Sequence, residues 1–193
     1  MRKLSVEFLA FAVVITLLAA SAPVQAADDY AVDPAHTSIG FKISHLGLSW
    51  VHGRFDGFSG GFAIDPDDPA KSAFALTINA ETIDTNNQKR DDHLRSPDFF
   101  NVKQYPAISF KSTSVKAIPD GYQVTGELTM HGATRPLTLN LTGGKKMEFP
   151  KGVARTGFST DLTLKRSEFG MEKFNPMVGD DVVISVSFEG TKK

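Results

Sequence analysis

Tyr122-Gln123-Val124-Thr125-Gly126-Glu127-Leu128-Thr129-Met130 alternates with a period of two over nine residues. Tyr122, Val124, Leu128 and Met130 share one parity, and Gln123, Thr125, Glu127 and Thr129 take the other. Such alternation gives a strand one apolar and one wet face, as in antiparallel sheets. The same period recurs outward from this run. Leu137, Leu139 and Leu141 alternate with Thr138, Asn140 and Thr142 on one side of it, and Ile108-Ser109-Phe110 lies on the other. Further away are Ile39-x-Phe41-x-Ile43, Phe74-x-Leu76-x-Ile78-x-Ala80, Phe158-x-Thr160-x-Leu162-x-Leu164 and Val182-x-Ile184-x-Val186-x-Phe188. Pro119-Asp120-Gly121 and Gly143-Gly144 supply turns between runs.

Residues 51–64 are less regular. Phe55 lies on one parity, and Phe58, Phe62 and Ile64 on the other, with Gly57, Gly60 and Gly61 between them. One strand bent by a bulge would switch parity in this way. It brings the expectation to about eight strands, with a short extra one around residues 145–149. One segment departs from the β pattern. Thr85 and Gln88 fit a capping box, which predicts a polar helix over residues 86–95 with Asp91 and Arg95 at i,i+4. Ser96-Pro97-Asp98 then predicts a further short helical turn ahead of Phe99-Phe100.

Strands that are apolar on one face must bury it, in a closed barrel or a two-sheet sandwich. Periodicity alone does not separate the two. Nor does it separate a hollow interior from a filled one, since eight strands enclose space either for side chains or for one small ligand. A membrane-spanning barrel needs two girdles of aromatic residues. With one Trp and three Tyr this chain cannot supply them.

The chain has 193 residues, 21 Lys+Arg against 22 Asp+Glu, and no Cys. The charge balance excludes a strongly basic nucleic-acid binder, and the absent thiols exclude disulfides, thiolate metal sites and a Cys nucleophile. At the start, Met1-Arg2-Lys3 is cationic, an apolar run extends over residues 8–20, and Val24 and Ala26 are small residues ahead of Ala27. This predicts a secretory signal peptide at residues 1–26, a domain at 27–193 and export to the periplasm. The apolar run falls short of the roughly 20 residues that span a bilayer, so no stable membrane insertion is expected. Thirteen of the 15 Phe fall in the 27–193 domain, which has no disulfide to hold it.

Residues for chemistry are few. The five His are His36, His45, His52, His93 and His131. They form no H-E-x-x-H pattern, and no G-x-S-x-G elbow marks an activated Ser. Asp67-Asp68, Asp91-Asp92 and Asp180-Asp181 read as solvated turn and helix carboxylates. Gly60-Gly61 lies in a strand pattern rather than before a helix, so it is no phosphate loop. No catalytic residue, metal or cofactor is expected. What stands out is an apolar β interior suited to an elongated apolar ligand with a polar head.

The order of motifs resembles the YceI-like family. The likeness runs through Asp33-Pro34-Ala35-His36-Thr37-Ser38-Ile39-Gly40-Phe41, then His45 and Gly53-Arg54-Phe55. Arg90-Asp91-Asp92-His93-Leu94-Arg95-Ser96-Pro97-Asp98-Phe99-Phe100 is the most characteristic stretch. Residues 105–110, 126–136, 166–171 and 178–182 continue it in order. The resemblance implies an all-β fold, an extended lipocalin-like eight-stranded antiparallel barrel with a short helical insertion. It also implies a periplasmic, non-catalytic protein that holds a polyisoprenoid or other long-chain amphiphile in an apolar tunnel. On that basis the lipid tail is expected along Phe41, Ile43, Phe74, Leu76, Ile78, Ile108, Phe110, Leu128, Met130, Phe158 and Ile184. Phe99, Phe169 and Met171 join them, the last two with Phe174 near the mouth. The polar head is expected at His45, Arg90, His93, Arg95 and Arg166, while His36 and His131 are expected to be structural. A long isoprenoid or acyl lipid is the expected partner, nucleic acid is not, and a homodimer remains open.

Overall fold

The computed structural model describes residues 27–193, so the expected leader lies outside the described residues. The elements are β1 (Asp28–Val32), β2 (Ser38–His45), β3 (Ser49–Phe55), β4 (Phe58–Ile64), β5 (Ala73–Asn79) and β6 (Ile83–Asp84). After helix α1 (Gln88–Arg95) come β7 (Ala107–Ile118), β8 (Gly121–Met130), β9 (Ala133–Gly143), β10 (Met147–Glu148), β11 (Ala154–Lys165) and β12 (Val178–Lys192). All pairings are antiparallel, and β11 pairs with β12 to close the sheet into a barrel.

Eight strand positions make the wall, because three of them are broken strands. β12 pairs with β2 along Val178–Ser187 and with β1 along Gly190–Lys192, so β1 and β2 are two halves of one position. β3 lies against β2 and β4 against β1, forming the next position. β5 pairs with β4 and β6 with β3, forming the third. β7, β8, β9, β11 and β12 complete the ring, and β10 adds a short edge to β11. The expected barrel is therefore present.

The parity switch between Phe55 and Phe58 is a break between two strands rather than a bulge within one. At the break, Gly57 N donates to Thr82 Oγ1 at 2.8 Å, and Asn79 N donates to Gly57 O at 2.7 Å. A Cβ on Gly57 would lie 2.6 Å from Thr82 Cγ2, so the approach needs a glycine. The break between β5 and β6 thus clamps the break between β3 and β4. The strand β1, for which the sequence shows no long alternation, is anchored by Tyr30, whose side chain is buried.

The helix also differs from expectation. Asn86 takes φ 58°, turning the chain after Thr85, and Asn87 becomes the N-cap, its side chain accepting from Arg90 N at 3.0 Å. Thr85 instead donates its N–H and hydroxyl to Asp91 Oδ1. Asp91 is consequently buried, not solvated, and is not the partner of Arg95. Arg95 reaches back to Glu81 O at 2.7 Å and Ile83 O at 2.8 Å, with Asp92 Oδ1 at 3.1 Å. Residues 96–99 form a turn rather than a helix, closed by Phe99 N donating to Ser96 O.

Buried apolar side chains form two clusters. One centres on Ile39, Phe55, Ile83, Ile108, Leu128 and Met130. The other is aromatic. Tyr30 stacks on Phe62 at 5.0 Å, Phe62 on Phe74 at 5.6 Å, and Phe158 meets both Phe62 and Phe74 edge-on at 5.7 Å. Such ring pairs add about 0.5–1.5 kcal/mol each beyond area burial.

The kink between β1 and β2 is fixed by Asp33. Its carboxylate accepts from His36 Nδ1 at 2.9 Å, from Ala35 N at 3.0 Å and from Arg155 Nη1 of β11 at 2.6 Å. These bonds, that from His36 foremost, hold the Asp33 carboxyl at about 2, below its usual 3.8. A depressed carboxyl contributes stability that is complete above its unfolded value and lost as pH falls through its folded value. Asp33→Asn should therefore melt earlier than wild type near neutral pH, and the gap should close as pH falls from about 4 to about 2. Thermal melts of both proteins across that window check this, and a gap of constant size would contradict it.

Candidate functional site

The pleat sends alternate side chains of every wall strand inward, and their register stacks them in rungs. Ile43, Val182 and Leu164 stand abreast on β2, β12 and β11. Phe41, Ile184 and Leu162 form the next rung, and Ile39, Val186 and Thr160 the one after. On the facing wall Ile78 pairs with Ile108, and Leu76, Phe110 and Leu128 stand in a row across β5, β7 and β8. These rungs do not meet in the middle. They enclose a cavity of about 390 Å³, within the roughly 300–1,000 Å³ range of small-molecule sites. Its wall is almost wholly apolar, with Thr37, Ser44, Thr85, Thr160, His45, Arg90, His93 and Arg166 as its polar residues.

Space in the lumen depends on two glycines. Gly53 faces Phe41 across β2 and β3, where a Cβ would lie 2.3 Å from Phe41 Cζ. At Gly126 a Cβ would lie 2.6 Å from Phe110 Cζ. Each ring therefore lies back over a bare backbone instead of projecting further inward.

The expected tail residues mostly line this space. Phe41, Ile43, Phe74, Leu76, Ile78 and Phe99 do so, as do Ile108, Phe110, Leu128, Met130, Met171 and Ile184. Phe158 and Phe169 do not. Phe158 is consumed by the aromatic cluster, where Phe62, Phe74, Tyr122 and Phe188 surround it. Phe169 is fully buried in the short 3-10 turn after β11, its carbonyl bonded by His131 Nδ1 at 2.9 Å. Sequence reasoning missed Phe55, Leu94, Phe100 and Val51, which also line the lumen. Leu137, Leu139, Leu162, Leu164, Val182 and Val186 line it too, and their parity marked them as inward.

The five expected head residues are not equivalent. His45 and His93 line the lumen while remaining exposed, which places them at its mouth. His93 bonds Asp98 Oδ2 at 3.0 Å, and its ring meets Phe99 at 5.1 Å and Phe174 at 5.9 Å. That bond, with Lys173 beside it, lowers the Asp98 carboxyl below its usual value. Arg90 is half-buried against the lumen, donating from Nε and Nη2 to Thr85 Oγ1 and O, both at 2.7 Å. Arg95 does not reach the lumen, because its guanidinium straps α1 to the carbonyls before and within β6.

Arg166 is buried and faces the lumen, but its three nitrogens donate to the carbonyls of Met171, Val178 and Gly179. Burial draws its pKa below the usual arginine value, against the pull of Asp180 and Glu172. It fastens the loop between β11 and β12 and keeps two N–H donors uncommitted. Neither Arg90 nor Arg166 has a carboxylate within ion-pair distance among the described residues. The two thus leave positive charge beside an apolar lumen.

Other polar groups are taken up structurally. The Thr85 hydroxyl is held between Asp91 and Arg90. Asp33, His36 and Glu189 come close enough together to ligate a metal. Arg155 Nη1 lies against both carboxylates there, 2.6 Å from Asp33 and 3.6 Å from Glu189, so the cluster reads as an ion-pair network. His52 lies on the outer face of β3, opposite Lys42, and does not join His45 and His93.

The model of the YceI-like domain family matches residues 30–190. A UPF0312 protein of Pseudomonas aeruginosa is 40% identical over 169 residues, covering 86% of this chain and 88% of its own. A Campylobacter jejuni YceI protein of known structure is 32% identical, with a TM-score of 0.70 over 83% of this chain and 96% of its own. A polyisoprenoid-binding domain from Saccharophagus degradans shares the fold at 15% identity, with a TM-score of 0.63 over 85% of this chain and 98% of its own. The family match spans nearly every described strand. The chain belongs to the YceI-like family.

Proposed function

We propose that this protein binds and carries a long-chain amphiphile of polyisoprenoid or fatty-acyl type, tail inward in the lumen. The observation that carries this reading is the open, apolar space between the rungs of the barrel, with Arg90 beside it. A barrel of this size can fill itself with its own side chains. Here Gly53 and Gly126 leave room for Phe41 and Phe110 to lie back, and the centre stays open. Burying a tail contributes about 0.8 kcal/mol per CH₂, so several methylenes outweigh any one polar contact. Tail length would be limited by the Tyr30–Phe62–Phe74–Phe158 cluster, and the head would rest at His45, His93 and Arg90. The free donors of Arg90 suit an anionic head such as a phosphate. The polyisoprenoid-binding domain of the same fold supports the ligand class. The signal-peptide pattern of residues 1–26 supports a periplasmic setting. No catalytic step is part of this reading.

Titration of lipid-free protein with polyprenyl phosphate tests it. Ile78→Trp, which fills the lumen opposite Ile108, should weaken uptake by roughly 10–100-fold while circular dichroism stays that of a β barrel. Uptake unaffected by the indole would place the lipid elsewhere and contradict the reading. Arg90→Gln should lose about tenfold or more in affinity for polyprenyl phosphate and little for the neutral polyprenol. Equal losses for both lipids would remove Arg90 from head recognition.

A further inference from the structure

Soluble proteins scatter their exposed apolar side chains, and a contiguous group marks a surface with a partner. Among the described residues, Leu46, Leu48, Trp50, Phe174 and Met177 are large, apolar and 40–84% exposed, while the exposed Met147 and Phe149 lie apart from them around β10. They come from two segments, the β2–β3 turn with the start of β3 and the loop before β12. The segments are joined where Leu46 N donates to Met177 O at 2.7 Å. They are also the rim of the lumen, since His45, Phe174 and Val178 line it. Leu46 takes φ 54°, the left-handed region that favours glycine, with its side chain half in solvent. Leu48 at the turn tip is the most exposed of the group. Folding alone gives no reason for leucines at these positions.

Charge at the rim points to one kind of partner. Lys42 Nζ lies 5.0 Å from the Trp50 ring, and no carboxylate lies within ion-pair distance of it among the described residues. Lys173 Nζ lies 5.5 Å from the Phe174 ring and is shared with Asp98 at 3.4 Å. An aromatic ring with a lysine over its face suits a membrane interface, where the ring sits at headgroup level and the ammonium is placed to meet lipid phosphate. We infer that this rim is a docking surface for an anionic lipid bilayer, seating the mouth of the lumen on the membrane surface. Leu46 and Leu48 would enter the outer acyl region, Trp50 and Phe174 would lie at the headgroups, and Lys42 would meet phosphate. A lipid could then pass between leaflet and lumen without its tail crossing water. This purpose rests on the lipid-binding reading, whereas the contact itself stands on the rim alone.

Vesicle co-sedimentation separates the two. Wild type and Leu46→Ser/Leu48→Asp are each mixed with vesicles of phosphatidylcholine and phosphatidylglycerol, and with phosphatidylcholine alone. Uptake of detergent-dispersed polyprenol is measured in parallel. The inference expects wild type to sediment with the anionic vesicles, and the variant to bind them on the order of tenfold less or worse. It expects weaker wild-type binding without phosphatidylglycerol, and equal uptake of dispersed polyprenol by the two proteins. Failure of wild type to bind anionic vesicles would overturn it, as would undiminished binding by the variant. A wild-type dimer that the variant dissolves, with no vesicle binding, would overturn it in favour of a second copy on the rim. Vesicle binding lost in the variant, with no polyprenol uptake by either protein, would uphold the docking surface and count against the prenyl form of the lipid-carrying reading.

Discussion

An antiparallel strand sends alternate side chains to opposite faces, and closing the sheet sends every second one into a single shared interior. In this chain that constraint gathers the rungs of Ile, Val, Leu and Phe from β2, β11 and β12 and from β5, β7 and β8. The wall is stable because those side chains leave water. It is hollow because the rings on its inner face have glycines to lie against. Stability and an open lumen thus come from the same residues, and a lipid tail entering it, as proposed, would complete contacts that the rungs leave open.

The breaks in three adjacent strand positions shape this wall. The interruptions at residues 33–37, 56–57 and 80–82 fall side by side, and polar bonds tie them. Asp33 reaches across to Arg155 on β11, and Gly57 is held by Thr82. The Asp33 motif and the polar residues after β5 therefore serve architecture. The charged segment around α1 is mostly architectural too. Asp91 is buried to hold Thr85, and Arg95 is stretched over carbonyls, while Arg90 and His93 reach the lumen.

Alternation made the face of each strand residue legible, and ten of the eleven expected tail positions on strands do face the lumen, while Phe99 and Met171 face it from outside the strands. It could not show how far along the barrel axis a side chain sits. Phe158 has the same inward parity as Leu162 and Leu164, yet it falls at the level of the aromatic cluster. Outside the strands there is no parity to use, so Leu94 and Phe100 went unread and Phe169 was placed at the mouth when it is core. Arginines were legible as cations but not as partners. Whether a guanidinium meets a ligand or a backbone carbonyl depends on where the chain returns, as the loop to β12 does around Arg166. The break at Gly57 likewise imitates a bulge in sequence, because both switch parity by one residue.

The central claim is that the lumen of the folded protein holds a long lipid. Native mass spectrometry of the protein purified without denaturation from the cells that make it addresses this most directly. The account predicts a species heavier than the bare chain by one lipid mass, released on extraction as a long prenyl or acyl compound and regained on adding polyprenyl phosphate. A spectrum of bare chain alone, unchanged after polyprenyl phosphate and long-chain acyl lipids are offered, would contradict it.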